Sequence, residues 1–275
     1  MTYHQLLAEL TAIGAGDPAG EAVALSGMTR EWCLLNRHAP LPDSAEEGLR
    51  RRKCGEPLQY ITGEAWFYGH RFHVTPDCLI PQPDSEHAVY HALRHLPDDG
   101  ILCDLCTGSG CIAISALLEK PGASAVAVDI SPPALAIARE NAGTHHVSNR
   151  LRFLEADVMD ADVMLPLIRT ADVIVSNPPY INTDIICGLS IEVLFEPLLA
   201  LDGGADGMEF YRRFILDYAP RMKKDAVMIL ELGYDQSERI AELCIEANLS
   251  CTLHRDFGGN IRVAEISRTI LSKTE

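Results

Sequence analysis

The chain has 275 residues, 47% of them hydrophobic and 23% charged, a composition typical of a globular protein and unlike that of disordered or fibrous chains. This length accommodates one large domain together with a smaller one. The formal net charge of −16 opposes binding to an extended nucleic acid, because such binding draws most of its affinity from Lys and Arg contacts with phosphates.

Signals for secretion or membrane insertion are not found in the sequence. The N-terminal segment lacks a basic stretch followed by an apolar one, and no run approaches about eighteen consecutive apolar residues. The nine cysteines are an odd number in a chain too long to need disulfides, which favours reduced thiols. The sequence therefore predicts a cytoplasmic protein without a membrane partner.

Residues 1–60 are predicted to form a small helical bundle. Apolar residues recur at helical spacing over His4–Ile13, Glu21–Leu25 and Arg30–Asn36, and glycines interrupt the pattern between these segments. Ser44 is a candidate N-cap for a further helix.

A β-hairpin is predicted to follow the bundle. Between Leu58 and Ile80, aromatic and β-branched residues alternate around Gly63 and Gly69, which is typical of a hairpin. We assign residues 61–82 to this linker.

Residues 83–275 are predicted to form an α/β domain. Helices are expected over Gly110–Glu119 and Pro132–Ala142, with Ser131 as the N-cap of the second helix and Pro132 at its first position. Alternating strands and helices imply right-handed βαβ units and a mostly parallel sheet, which binds ligands at the carboxyl ends of its strands. The predicted strands are Gly100–Cys106, Ser124–Ile130, Arg150–Glu155, Ala171–Ser176 and Ala226–Leu232.

A glycine-containing loop follows the first predicted strand and ends at Gly108-Ser109-Gly110. Glycines in a strand-to-helix turn tolerate positive φ and let the backbone approach a ligand. Asp129 lies 19 residues after Gly110, at the predicted end of the second strand, where a carboxylate can accept hydrogen bonds from ribose hydroxyls. The loop fits a nicotinamide dinucleotide as well as S-adenosylmethionine, because Gly108, Gly110 and Ala113 also satisfy the looser dinucleotide fingerprint.

Three cysteines near this loop, Cys103, Cys106 and Cys111, have a spacing found in zinc and redox sites. Cys103 falls in a predicted buried strand and Cys111 in the next helix, so their side chains are expected to diverge. We interpret these cysteines as small buried hydrophobic residues and expect no metal.

The fourth predicted strand runs into Asn177-Pro178-Pro179-Tyr180. The prolines fix the backbone and remove two amide donors, while Asn177 supplies a carbonyl acceptor and Tyr180 an aromatic face. The segment thus predicts a rigid acceptor site for a planar NH2 group. The nitrogen of such a group is a weak nucleophile, because its lone pair is delocalised. Two acceptors that hold its hydrogens would favour attack on a sulfonium methyl group. The positioning of the two reacting groups would supply most of the remaining rate enhancement.

These residues resemble the amino-methyltransferases that carry an Asn-Pro-Pro-Tyr motif, and within them the PrmC/HemK family. The resemblance implies a Rossmann-like class I S-adenosylmethionine methyltransferase domain with a small N-terminal helical domain. It covers nearly the whole chain, and the further matching segments are Arg51-Arg52, Gly55-Glu56-Pro57, Thr62-Gly63, Phe67, Leu79-Ile80-Pro81, Pro83-Asp84, Phe195-Glu196-Pro197, Leu201, Arg255-Asp256 and Gly258.

Members of that family methylate N5 of the glutamine in the Gly-Gly-Gln motif of class 1 peptide chain release factors. By resemblance, the helical domain is a release-factor-binding domain. The implied catalytic residues are Asn177, Pro178 and Tyr180, which together with Pro179 hold the glutamine amide. The implied S-adenosyl-L-methionine-binding residues are Cys106, Thr107, Gly108, Ser109, Gly110, Asp129, Asp157, Val158 and Asn177.

The chain departs from the family pattern at three positions. Cys106 stands where the family has its first loop glycine, which predicts a loop that is tighter at its start and less able to adopt positive φ. Gln82 stands where the family usually has Arg. Ser85 replaces a usual Thr and keeps the hydroxyl.

Other functions were compared with this one. An adenine N6 methyltransferase acting on nucleic acid would grip the same kind of NH2 group, but it requires a basic cleft. An enzyme that methylates a glutamine of another protein, such as a ribosomal protein, would use the same chemistry. A nicotinamide-dependent dehydrogenase leaves Asn177–Tyr180 unexplained, and a non-catalytic binding module would be revealed by failure to bind the cofactor.

Overall fold

The computed structural model describes residues 1–256 and 258–268, so the last seven residues of the predicted domain over 83–275 lie outside the described residues. The chain divides into two compact units. The first comprises residues 1–64 with 189–195, and the second comprises the remainder. The domain boundaries at residues 60 and 82 stay predictions, and no sequence pattern indicated that residues 189–195 belong to the first unit.

The first unit is helical, and its residues are all described. Leu6, Leu10 and Cys33 are fully buried in its core. Thr2, Asp17 and Thr29 each precede a helix and accept a hydrogen bond from a backbone N–H of its first turn, which satisfies donors that the helix itself leaves unpaired. The helices are α1 (Tyr3–Ala12), α2 (Pro18–Ser26), α3 (Arg30–Leu35), α4 (Asp43–Lys53) and α5 (Leu58–Thr62).

Ser44 is not a helix cap, so that prediction was wrong. Helix α4 begins at Asp43, one residue before Ser44, and Pro42 precedes it with a φ of −57°. Pro42 is extended, with a ψ of 152°, so helical backbone starts at Asp43. Asp43 then occupies the first turn, where a negative charge interacts favourably with the helix dipole.

A two-stranded hairpin, β1 (Glu64–Phe67) and β2 (His70–His73), follows helix α5. Its turn contains Tyr68 and Gly69, with φ values of 50° and 76°, and two positive φ angles are typical of the type I′ turn that suits twisted strands. Gly69 therefore lies in the turn, whereas Gly63 ends α5 in a left-handed conformation with φ 74°. The sequence pattern placed both glycines in the hairpin and missed this short helix.

The second unit contains a seven-stranded sheet with the order β5-β4-β3-β6-β7-β9-β8 over the described residues. The first five strands in this order, β5, β4, β3, β6 and β7, are parallel. Strand β9 runs antiparallel to both of its neighbours, β7 and β8. All five predicted strands are present, with ends that differ by one or two residues, and the α/β prediction is confirmed. Strands β8 and β9 were not predicted. The strands are β3 (Ile101–Leu105), β4 (Ser124–Asp129), β5 (Leu151–Glu155), β6 (Val173–Ser176), β7 (Val227–Glu231), β8 (Ser250–Arg255) and β9 (Ile261–Ser267).

Helices cover both faces of this sheet and enclose two separate cores. Ser131 caps α8 by accepting from Ala134 N, and Pro132 is its first residue, as predicted. No helix of the described chain is long and apolar enough to cross a membrane. The helices are α6 (Glu86–His95), α7 (Cys111–Glu119), α8 (Pro132–Thr144), α9 (Ala161–Ile168), α10 (Leu198–Leu201), α11 (Glu209–Arg212), which continues into a π-helical segment, and α12 (Ser237–Glu246).

The strand order reverses between β3 and β6. From β3 the chain adds β4 and β5 on one side, and it then returns to place β6 and β7 on the other. A crevice opens at such a reversal, outside the carboxyl ends of the strands. The loop that starts at Cys106 and the segment that starts at Asn177 both begin there.

Candidate active site

A cavity of about 310 Å³ lies at the carboxyl ends of β3 to β6. Five residues predicted to bind only the cofactor line it, together with Asn177, which is predicted to bind both cofactor and substrate, and the substrate-site residue Pro179. The remaining predicted residues belong to the same two segments but lie outside its lining. The five cofactor residues in the lining are Cys106, Gly108, Asp129, Asp157 and Val158.

The loop after β3 passes through three left-handed residues. Cys106, Gly108 and Gly110 have φ values of 60°, 54° and 79°. Cys106 adopts this conformation although its side chain makes it cost about 1–2 kcal/mol. A Cβ placed on Gly108 would meet no atom within 4 Å. The backbone at Gly108 is therefore open on the side where its side chain would project, and a ligand can approach it closely.

Thr107, Ser109 and Gly110 shape the loop from within the protein. Thr107 Oγ1 donates to Asp104 Oδ2 at 2.6 Å, and the carbonyl of Ser109 accepts from Asn141 Nδ2 at 3.0 Å. A Cβ on Gly110 would lie 3.1 Å from Ala138 Cβ, so this glycine permits the close packing of α7 on α8. These three residues hold the loop in place.

Asp129 is held in one orientation by the backbone. Its Oδ2 accepts from Gly108 N at 2.8 Å and its Oδ1 accepts from Ser131 N at 2.9 Å. Burial raises the pKa of Asp129, and the two backbone donors act against this effect. Because a carboxylate oxygen can accept more than one hydrogen bond, the fixed group can still accept two neighbouring hydroxyls, as a ribose would present them.

The segment after β5 forms another wall of the cavity. Asp157 Oδ1 accepts from Met159 N at 2.8 Å, and the carbonyl of Val158 accepts from Tyr218 Oη at 2.7 Å. Val158 is 4% exposed. Its apolar surface beside a carboxylate suits a heterocyclic base with polar edges, so the residues present fit a nucleoside.

Asn177 is oriented by a hydrogen-bonded chain of buried groups. Its Nδ2 donates to Ser85 Oγ at 3.0 Å, and Ser85 Oγ donates in turn to Glu231 Oε2. Nδ2 is therefore directed towards Ser85, which leaves Oδ1 as the acceptor for a substrate. Burial raises the pKa of Glu231 to about 7, and the hydrogen bond from Ser85 acts against this effect.

Glu231 was missed by the sequence analysis, and Ser85 was noted only as a retained hydroxyl. A signal for Glu231 was present, because it ends the otherwise apolar strand β7. A buried carboxylate is costly unless it is hydrogen-bonded, so a lone acid in such a position indicates a partner nearby. The identity of that partner was hidden, since Ser85 lies 146 positions away in the chain.

Close backbone contacts fix the Pro178-Pro179-Tyr180 segment. The carbonyl of Tyr180 accepts from Gln236 Nε2 at 2.9 Å. A Cβ on Gly203 would lie 2.7 Å from Tyr180 Cα, and one on Gly207 would lie 2.4 Å from the Tyr180 carbonyl oxygen. Gly203, Gly207 and Gln236 were not singled out from the sequence, although all three position this segment.

Tyr180 itself is half-buried and packs against the core. Burial raises the pKa of its phenol above the usual range. The ring is therefore neutral and supplies an uncharged surface beside Asn177.

Cys103 and Cys111, near the loop, diverge as predicted. Cys103 belongs to one core of the second unit and Cys111 to the other, so their side chains lie on opposite faces of the sheet. Burial raises the pKa of the Cys103 thiol to about 12, which disfavours the thiolate that metal binding requires.

The match of residues 88–190 to the family model described as the methyltransferase small domain agrees with the sheet order and with the acidic residue at the end of β4. The chain is a class I methyltransferase, and its methyl donor is S-adenosylmethionine. The catalytic domain of hMettl16, solved in complex with the MAT2A 3'UTR hairpin 6, shares this fold with a TM-score of 0.56 and 16% identity over 86% of each chain.

Residues 4–63 match the model of the PrmC N-terminal domain. The release factor glutamine methyltransferase of Bacillus subtilis is 37% identical over 254 residues, which cover 86% of each chain. The ribosomal protein uL3 glutamine methyltransferase of Burkholderia pseudomallei is 37% identical over 218 residues, or 76% of this chain and 71% of that one. The chain belongs to the release factor glutamine methyltransferase family, which confirms the resemblance and the predicted enzyme class.

Proposed function

We propose that the protein methylates N5 of the glutamine in the Gly-Gly-Gln motif of class 1 peptide chain release factors. The observation that carries this proposal is the direction of Asn177, whose Oδ1 is left as an acceptor at the carboxyl end of β6 while Ser85 binds its Nδ2. A primary amide offers two N–H donors to such a site. The names of the curated relatives support the same substrate class.

In this proposal Asn177 Oδ1 and the carbonyl of Pro178 accept the two hydrogens of the glutamine amide. The cofactor supplies an electrophilic methyl group when bound. Holding both hydrogens orients the nitrogen lone pair towards that methyl group, and Tyr180 covers one face of the planar amide. Placing the reacting atoms roughly 3–3.5 Å apart supplies most of the rate enhancement, and the methylated nitrogen then gives one proton to solvent water.

The roles of the remaining predicted residues belong to this proposal. Asp129 binds the ribose hydroxyls, Asp157 and Val158 contact the adenine, and the loop 106–110 surrounds the methionine part of the cofactor. The support is that the backbone holds Asp129 in one orientation and leaves Gly108 open.

The partner and the location of the protein are also proposed. Residues 1–60 would bind the release factor, and the protein would act in the cytoplasm without a nucleic-acid or membrane partner. The net charge of −16 supports the absence of a nucleic-acid partner.

The decisive experiment incubates the purified protein with methyl-labelled S-adenosylmethionine and one of three acceptors. These are a release factor with Gly-Gly-Gln, the same factor with alanine in place of that glutamine, and adenine-rich DNA. Label that appears only on the unaltered factor supports the proposal. Label on DNA alone would overturn the substrate and keep the methyl transfer, and labelling of the altered factor would overturn the assigned glutamine.

A further inference from the structure

Three histidines surround one carboxylate in the second unit, outside the cavity described above. His95 Nε2 lies 3.1 Å from Glu265 Oε1, His254 Nε2 lies 3.0 Å from Glu265 Oε2, and His91 Nδ1 lies 3.9 Å from the same Oε2. The rings of His91 and His254 stack with their centroids 3.7 Å apart. None of these residues takes part in the proposed methyl transfer.

The fold brings these residues together from three elements. His91 and His95 are four positions apart on α6, so they lie on the same face of that helix. In the antiparallel pair β8–β9, Thr252 faces Glu265 and His254 faces Val263. His254 and Glu265 are therefore diagonal neighbours on one face of the sheet, and α6 packs against β9.

Two nitrogens of this cluster are buried without a hydrogen-bond partner. They are His91 Nδ1 and His95 Nε2, and the contact of the latter with Glu265 lacks hydrogen-bond geometry although it is short. His91 is 6% exposed. A buried polar atom without a partner carries a desolvation cost, so His91 Nδ1, which lies 3.9 Å from the Glu265 carboxylate, points to a ligand.

We propose that His91, His254 and Glu265 bind a divalent transition metal ion, with His95 as the fourth ligand. One ligand atom from each of the first three residues lies within 4.8 Å of the others. Binding would turn the His91 and His254 rings out of their stack, so that their nitrogens reach the roughly 2.0–2.2 Å bond lengths of Zn²⁺. Three imidazoles and one carboxylate are typical ligands of Zn²⁺, whereas Mg²⁺ and Ca²⁺ prefer oxygen.

An ion can reach this cluster from a second cavity, of about 270 Å³, which is lined by His95, Glu265 and Thr252 among others. The bound ion would join α6 to β8 and β9. Helix α6 begins at Glu86, directly after Ser85, the residue that binds Asn177. The metal would therefore stabilise the C-terminal end of this helix.

The test uses the tag-free full-length chain, first treated with a chelator and then titrated with Co²⁺, whose absorption spectrum reports its ligands. The expected result is one Co²⁺ per chain, displaced by Zn²⁺, with a rise in the melting temperature on binding. Zn²⁺ should also shift the ring-nitrogen NMR signals of His91 and His254 in the unaltered protein, a readout that requires no variant.

Variants locate the site. Glu265→Gln and His254→Ala should each weaken binding by at least the roughly 10–100-fold typical of losing an outer partner of a metal. The control is His146→Asn, which removes an exposed histidine at φ 57° and should bind as the unaltered protein does. Equal affinity in all of these proteins, or the absence of ring-nitrogen shifts on addition of Zn²⁺, would overturn the proposal.

Discussion

Asn177 carries a donor and an acceptor on the same short side chain, so its use as an acceptor depends on which way the carboxamide is turned. The hydrogen bond from Nδ2 to Ser85 fixes the orientation of the carboxamide, and the hydrogen bond from Ser85 to Glu231 stabilises this arrangement. The chemistry of the site therefore depends on two residues that do not contact the substrate in the proposed mechanism.

Replacing Asn177 by Ala should strongly reduce methyl transfer and leave cofactor binding mostly intact. By analogy with the loss of one preorganised polar contact in other active sites, the turnover number should fall by about 10²–10³-fold. Steady-state kinetics and calorimetric titration with the cofactor separate the two effects. Asn182→Ala is the control and should keep normal turnover. Near-normal turnover of Asn177→Ala would contradict the mechanism in which Asn177 holds the substrate amide.

Asp129→Ala should instead weaken the binding of the cofactor. The substitution removes two hydrogen bonds to a charged acceptor, each worth about 1.5–3 kcal/mol, so the dissociation constant should rise by at least about 10²-fold. Calorimetric titration measures this change. Asp98→Ala, which alters an exposed carboxylate, should leave the constant unchanged, and an unaltered constant in Asp129→Ala would exclude a ribose contact there.

The turnover number should rise as the pH increases through about 7, the value to which burial raises the pKa of Glu231. Below this pH the protonated Glu231 donates to Ser85, and the Ser85 hydroxyl then donates to Asn177 and turns the carboxamide away from its productive orientation. Glu231→Gln, which cannot change its charge, should give a flatter profile. A profile that Glu231→Gln leaves unchanged would show that another group controls it.

At the scale of elements, the loop after β3 combines a residue with a strained backbone, Cys106, and a residue whose backbone is accessible to a ligand, Gly108. Cys106 has a φ of 60° although it has a side chain, whereas Gly108 leaves space beside its backbone. The strain at Cys106 lies at the start of a ligand-binding loop, a place where such conformations are often found.

Cys106→Gly should raise the free energy of unfolding by about 0.5–1 kcal/mol. Relief of the left-handed conformation contributes about 1–2 kcal/mol, and the greater freedom of glycine in the unfolded chain offsets about 0.5–1 kcal/mol of it. Equilibrium urea denaturation provides the measurement. Cys106→Ala removes the thiol but keeps the strain, so it should show no such gain; a less stable Cys106→Gly protein would mean that the thiol packing outweighs the strain.

The elements carrying the motifs could be predicted from sequence because their signals are local. Alternating apolar strands, Ser131 before Pro132 and the spacing to Asp129 all lie within a few tens of residues. Strands β8 and β9 were missed because the place of β9 beside β7 depends on contacts with distant residues. The partners of Asn177 were hidden for the same reason, since Ser85 lies 92 positions away.

At the scale of the whole molecule, buried carboxyl groups should make stability decrease as the pH rises from about 4 to about 7. Burial raises the pKa of Asp104 and of Glu231 to about 7 from ordinary values of 3.8 and 4.5. In this window the folded chain therefore holds protons that the unfolded chain has released, and stability falls by up to about 1.4 kcal/mol per pH unit for each such group.

Urea denaturation at a series of pH values measures this dependence. Asp104→Asn keeps an acceptor for Thr107 and removes the ionisable group, so its stability should depend less steeply on pH. Asp98→Asn serves as the exposed control. An equally steep dependence in Asp104→Asn would show that this buried acid does not contribute.

The cysteines of this chain offer a way to observe its two compact units in solution. All nine lie among the described residues, and none forms a disulfide. Cys54, in the first unit, and Cys187, in the second, are exposed, whereas the other cysteines are buried or half-buried. The half-buried Cys251 has a lowered pKa, caused by its contact with Cys244, and Cys251→Ser would remove this competing thiol. A pair of fluorophores or spin labels on Cys54 and Cys187 would then test whether the distance between these two positions changes when S-adenosylmethionine is added, without any introduced cysteine.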